Sequence, residues 1–200
     1  MSTTSTLGRL GVIRIVPVVT IEDADRAPDV AGALAAGGIG CAEITLRTPQ
    51  GLEAIRKIAS RSNIVVGAGT VLTVDQVDRC VDAGAQFLVH AGFDDEVVAR
   101  AHLRRVAILP GVATATEIQR ALRAGLDVVK FFPADRRSAV SKRSRRSPLR
   151  WLRCALYQAE ESTHRTQLPT CGIRQSSVSV AAGWSLATQV LRGTTRPSSG

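Results

Sequence analysis

The 200-residue sequence has no apolar run that approaches membrane-spanning length, and its first ten residues are polar, without the apolar stretch of a secretory leader. A cytoplasmic chain with no membrane partner is therefore expected. Cysteine is scarce and scattered: Cys41, Cys80, Cys154 and Cys171 lie far apart, with no Cys-x-x-Cys pair among them. That pattern suits free thiols in a reducing compartment and gives no support to a metal site. A nucleotide loop is also poorly supported, because Gly67-Ala68-Gly69-Thr70 lacks both a third glycine and the Lys-Ser/Thr ending of a phosphate loop. His90 and His102 read as structural or surface histidines. No cofactor is expected.

The formal net charge of +9 raises the question of nucleic acid, and its distribution answers it. Residues 1–135 carry 14 Lys and Arg against 15 Asp and Glu, whereas residues 136–200 carry 12 against 2. A near-neutral body of 1–135 is joined to a basic, Ser/Arg-rich tail of 136–200.

Within the body, short apolar strand candidates alternate with helix-like segments. The strands are Ile13–Val18, Cys41–Leu46, Ile64–Ala68, Phe87–Val89, Ala107–Leu109 and Asp127–Phe131, spaced at the rhythm of a βα unit. Helices are expected over Ile21–Ala36, Thr73–Ala83 and Thr116–Ala124, with acidic residues or a threonine cap at their starts. Gly37-Gly38, Gly84 and Gly125 stand where helices end. Six consecutive units predict a parallel α/β sheet, either doubly wound or closed as a (β/α)8 TIM barrel. The barrel accounts better for polar residues that share one face near the ends of several strands: Glu43, Thr45 and Arg47; Val66, Ala68 and Thr70; Val128, Lys130 and Phe132. After Asp135 the rhythm stops, so the barrel is expected to be truncated after about six units and followed by an irregular tail.

The segment Asp127-Val128-Val129-Lys130-Phe131-Phe132-Pro133-Ala134 is apolar on both faces with one lysine in its middle. Burial disfavours a charged amine, and a desolvated lysine amine is the usual nucleophile for a Schiff base with a ketone. The competing reading is a lysine snorkelling out at a strand end. Glu43 could move protons, the planar fork of Arg47 suits a carboxylate, and Thr70 could add a hydrogen bond to the same group. A small-molecule keto acid would find its needs met there. The alternative is a surface Glu43/Arg47 pair with Thr70 as a helix cap.

Six segments carry a more specific resemblance: Val16-Pro17-Val18-Val19, Ala42-Glu43-Ile44-Thr45-Leu46-Arg47-Thr48, Val66-Gly67-Ala68-Gly69-Thr70-Val71-Leu72, Ala83-Gly84-Ala85-Gln86-Phe87, Leu109-Pro110-Gly111-Val112 and Val129-Lys130-Phe131-Phe132-Pro133-Ala134. In this order, over roughly residues 10 to 135, they resemble the bacterial 2-dehydro-3-deoxy-6-phosphogluconate aldolases, a family that includes 4-hydroxy-2-oxoglutarate aldolases. The resemblance implies a class I aldolase on a homotrimeric (β/α)8 barrel. It implies Lys130 as Schiff-base residue, Glu43 as general acid/base, Arg47 and Thr70 as holders of the pyruvate carboxylate, and Phe132 as a wall of the pocket. The chain departs from the family pattern at His90-Ala91-Gly92, where Ser-Pro-Gly is usual.

The family pattern continues past the lysine with Gly-Gly-Val, then Arg-Phe-x-Pro-Thr/Ser-Gly-Gly-Ile, then Gly-Gly-Ser-Trp, none of which is present here as protein. Codon degeneracy recovers them in a shifted frame. Ser138–Ser144 written TCG GCG GTG TCG AAG CGA TCG and read from the third base gives Gly-Gly-Val-Glu-Ala-Ile. The same offset over Arg153–Thr163 permits Val-Arg-Phe-Val-Pro-Ser-Gly-Gly-Ile-Asn, and over Ser177–Leu186 it permits Gly-Val-Gly-Gly-Ser-Trp-Met-Val. Residues from about 136 onward therefore read as a frameshift product. On that reading the basic charge is an accident of frame and argues for no nucleic-acid partner, and a catalytically inactive remnant is the chief alternative to an active aldolase.

Overall fold

The computed structural model describes residues 3–132 and 178–181. Five strands, β1 (Val18–Ile21), β2 (Cys41–Thr45), β3 (Val65–Gly69), β4 (Phe87–Val89) and β5 (Ala107–Leu109), pair in parallel in chain order. Pro110 then interrupts the fifth strand, because it has no N–H to give a ladder. Beyond it the chain resumes as β6 (Gly111–Val112), which pairs in parallel with β7 (Lys130–Phe131). One interrupted strand thus holds β4 on one side and the lysine strand on the other. At the opposite edge β8 (Val178–Ala181) lies antiparallel on β1.

Six α-helices stand among the described residues: α1 (Thr3–Ile13), α2 (Ala27–Ala36), α3 (Gly51–Arg61), α4 (Val74–Asp82), α5 (Asp95–Leu103) and α6 (Ala115–Arg123). Alternation along the strands divides the core in two. Val19, Ala42, Ile44, Val66, Ala68, Leu88 and Ile108 face the helix layer, where they meet Ile55 and Ile58 of α3 and Val77 of α4. Fully burying a side chain of that size stabilises the fold by about 1.5–3 kcal/mol. The alternate residues Cys41, Val65, Phe87, Val89, Ala107 and Leu109 form a second cluster inside the curve of the sheet, closed by Leu10 of α1 and packed by Val128. An inner apolar cluster enclosed by strands, with helices outside, is TIM-barrel architecture carried through six units.

Local signals set the boundaries. Thr73 and Gln76 form a capping box at α4, as do Thr114 and Glu117 at α6. Gly84 and Gly125 leave their helices at φ 96° and 75°, where a side chain would be strained. Between α4 and α5, Asp78 accepts three hydrogen bonds from Arg100, two of them shared by its Nε, and one from Arg104, and these guanidiniums hold its carboxyl below the usual range.

Several sequence expectations need correction. The apolar run Ile13–Val18 is not the first strand. Residues 3–13 are helix, Arg14 turns at φ 66°, and the strand begins at Val18. Ile13 and Val16 are apolar because they pack beneath the inner cluster. Helix α1 was not anticipated, and α3 and α5 fill intervals between strands for which no helix bounds were given. The faces of β3 are the reverse of those expected: Val66 and Ala68 point outward to the helices, and Val65, Gly67 and Gly69 line the interior. Alternation does not extend to Thr70, whose φ of 60° turns the chain. Arg47 likewise lies beyond β2, in a turn. The tail of 136–200 lies outside the described residues except for β8.

Cys41 and Cys80 are buried free thiols, and burial pushes both up to about 12. The Cys41 thiol donates to the Ile15 carbonyl at 3.1 Å. With almost no thiolate at either position, iodoacetamide at pH 8 should leave both unmodified in the folded protein and label them only after denaturation. Mass spectrometry of the Cys41 and Cys80 peptides checks this. Labelling of either at the rate of an unfolded thiol would mean that the core around it opens.

Candidate active site

The interior changes character along its length. Its lower part is apolar, with Leu10, Cys41, Val65 and Phe87, and its upper part carries buried polar side chains. Glu43, 3% exposed, follows Cys41 on the inner face of β2, and Thr45 follows Glu43. The Thr45 hydroxyl is 3.1 Å from that of Thr20 on β1, so the two hydroxyls satisfy each other. Lys130, 8% exposed, follows Val128 in the same way. Its amine lies over the Phe132 ring, 4.7 Å from the centroid, and the negative face of the ring attracts an ammonium. Both the lysine and the glutamate are therefore interior groups of the barrel. The snorkelling reading of Lys130 does not survive its burial, and Glu43 is not half of a surface pair.

Arg47 and Thr70 stand just past the carboxyl ends of β2 and β3. The turn that carries Arg47 is fixed from both sides. Thr48 donates to the Ile21 carbonyl at 2.6 Å, and the Leu46 amide donates to the Gly69 carbonyl at 2.9 Å. Arg47 is exposed while the turn beneath it is held. Thr70 occupies a left-handed backbone conformation, a costly place for a β-branched residue. Its neighbour Val71 is fully buried and donates to the Val89 carbonyl at 3.2 Å, which holds the strain in place. The helix cap is Thr73, so Thr70 is not a cap.

Sequence reasoning missed the corner that supports Lys130. His90 Nδ1 lies 2.9 Å from the Gly92 amide and 2.8 Å from its carbonyl oxygen, closing the loop after β4 on itself. The Gly92 carbonyl accepts from the Gly111 amide at 2.8 Å. The Ala91 carbonyl packs directly on Gly111, leaving no room for a Cβ there. Gly111 in turn is the register partner of Lys130. The departure from Ser-Pro-Gly was visible in the sequence, but the closed His90 loop was not.

Charged and polar groups gathered at the carboxyl ends of separate parallel strands define a (β/α)-barrel site of the kind that holds small molecules. The family model for "KDPG and KHG aldolase" matches residues 8–147, and the chain belongs to that family. It is 50% identical over 124 residues to a 2-dehydro-3-deoxy-phosphogluconate aldolase of Treponema pallidum, covering 62% of this chain and 59% of the relative. Against the KHG/KDPG aldolase of Escherichia coli K12 it is 37% identical over 127 residues, covering 63% and 60%. The chain spans about three fifths of the length of the curated relatives it matches. Among solved structures it resembles the 2-keto-3-deoxy-6-phosphogluconate aldolase of Zymomonas mobilis, with 3-phosphoglycerate, at TM-score 0.70 and 37% identity over 76% of this chain and 74% of that one. It also resembles a Legionella pneumophila KDPG aldolase in which pyruvate is captured as a covalent carbinolamine, at TM-score 0.59 and 36% identity over 62% and 63%.

The close approach at Gly111 yields a test. Gly111→Ala should force β6 away from the Ala91 carbonyl and destabilise the protein by about 1–3 kcal/mol, the usual cost of overpacking. Urea unfolding of both proteins measures this. Unchanged stability would show that the loop is not seated on β6.

Proposed function

We propose that this chain derives from a class I aldolase that cleaves 2-dehydro-3-deoxy-6-phosphogluconate to pyruvate and glyceraldehyde 3-phosphate. We extend the proposal to 4-hydroxy-2-oxoglutarate, cleaved to pyruvate and glyoxylate. The observation that carries the reading is a buried lysine on the inner face of a parallel barrel whose interior also holds a buried glutamate. Family membership supports it.

In the proposed reaction the Lys130 amine adds to the ketone carbon, and loss of water leaves an iminium. The C3–C4 bond then breaks as the C4 hydroxyl loses its proton to Glu43. The electron pair of that bond flows into the iminium and gives an enamine, while the C4 fragment departs as the aldehyde. Glu43 then returns that proton to C3 of the enamine, and addition of water to the resulting iminium releases pyruvate and restores the amine. Arg47 holds the substrate carboxylate in a bidentate pair and Thr70 adds a hydrogen bond to it. Phe132 walls the pocket beside the amine. We also assign the protein to the cytoplasm, on its scattered cysteines, and its in-frame form to a homotrimer, on family resemblance.

The proposal extends to the reading frame. Three family motifs recoverable in order at one offset support residues 1–135 as the aldolase portion and 136–200 as an out-of-frame tail.

Borohydride added with pyruvate should attach a three-carbon adduct to the Lys130 peptide, and Lys130→Met should abolish it. Arg47→Ala should mainly raise KM, whereas Glu43→Gln should mainly lower kcat, because one positions and the other moves protons. An adduct on Lys57 would overturn the assignment.

Restoring the frame between about Ala134 and Ser138 should raise pyruvate release at least a hundredfold over the chain as it stands. That is about 2.7 kcal/mol, within what a set of positioning contacts supplies. Matched assays of both proteins check this, and equal activity would show that the tail is a working part of the enzyme.

A further inference from the structure

Gly67 and Gly69 both line the barrel interior, and neither is required by backbone conformation. The glycines with positive φ among the described residues are Gly38, Gly84 and Gly125, whereas Gly67 and Gly69 have strand backbone that other residues adopt. Glycine weakens a strand interior, so its presence twice in β3 calls for a spatial reason. Two side chains supply it. A Cβ at Gly67 would fall within the ring of Phe87, its register partner on β4. A Cβ at Gly69 would lie 2.7 Å from Glu43 Cγ and 2.8 Å from Cδ, with Oε1 closer still.

The register gives these contacts a direction. Glu43 is the partner of Gly67, not of Gly69, which pairs with Thr45. Because the Phe87 ring already covers Gly67, the Glu43 side chain cannot lie straight across its neighbour. It leans two residues along the strand toward the carboxyl end, the end at which Arg47 and Thr70 stand, and rests on the bare backbone of Gly69. Phe87 closes the lower position and Gly69 opens the upper one.

We propose that Gly69 is a positioning residue for the acid/base step, because its missing side chain is the recess that receives the Glu43 carboxyl and aims it at the mouth of the barrel. The Gly-x-Gly of β3 is on this account a steric device and not a phosphate loop. The catalytic part of the proposal rests on the role given to Glu43 above, and the packing part does not.

The test uses the full 200-residue chain and two independent readouts. The first is thermal melting. Gly69→Ala should lower the melting temperature in the presence of Glu43, yet leave it unchanged or raise it in a Glu43→Ala background, where the recess is vacant. The second is exchange of the pyruvate methyl protons with D2O, which reports proton transfer at the enamine carbon. Gly69→Ala should slow that exchange at least tenfold while the saturating borohydride adduct on Lys130 persists. Glu43→Asp should also slow it. The double variant should be faster than the two single effects multiplied together, since the shorter acid clears the new methyl. An equal loss of melting temperature with and without the Glu43 side chain would overturn the recess. A sign reversal in melting with exchange unaffected by Gly69→Ala would overturn the positioning role. Absence of exchange both in the unmodified chain and in its frame-restored form, with the melting reversal intact, would count against the aldolase reading and leave the recess established.

Discussion

The Lys130 amide donates to the Pro110 carbonyl at 2.8 Å, and the Phe132 amide donates to the Val112 carbonyl at 3.1 Å. Those bonds tie the lysine strand to the barrel, and among the described residues β7 pairs with β6 alone. The position of the amine therefore depends on a corner built from the end of β4, the proline break in the fifth strand and the loop closed by His90. Every element of that corner acts on the main chain. The Ala91 carbonyl seats on Gly111, the Gly92 carbonyl takes the Gly111 amide, and Gly111 faces Lys130 in register. The side chain proposed to carry the chemistry is located here by backbone contacts two steps removed from it.

The same economy governs the barrel interior. The apolar lower half, from Leu10 to Phe87, excludes water from beneath the polar groups, which strengthens electrostatic interactions among them. Buried charge in such a place is costly unless it is held by partners or used in chemistry. Glu43 and Lys130 meet this constraint from strands on different parts of the sheet, β2 and β7. The glycines of β3 let larger side chains from both neighbouring strands share a narrow space.

Much of this was legible from residue order. Phe87–Val89 and Ala107–Leu109 are the strands at the bounds the pattern gave, since short β-branched and aromatic runs between turn signals have few alternatives. Lys130 and Glu43 stood out because charge is rare on such strands. What failed did so for identifiable reasons. Thr70 led to the wrong face of β3, since alternation was counted through a residue that leaves the strand with a left-handed φ. Ile13 and Val16 were apolar for packing under the barrel, and of the run Ile13–Val18 only Val18 lies in a strand. No sequence signal distinguishes a glycine that turns the chain from one that makes room, so the roles of Gly67, Gly69 and Gly111 emerged only with their neighbours in place.

The left-handed Thr70 carries an evolutionary consequence. Glycine or asparagine would occupy that conformation at less cost, so either would relax the backbone while deleting the hydroxyl and methyl that threonine presents beside the mouth. With the role proposed for Thr70, stability and ligand contact pull this one position in opposite directions. Where the proposed change of frame arose in the organism, only the first of those pressures persists. Thr70 is then among the earliest residues expected to drift, and its identity in related sequences would date the loss of selection at the site.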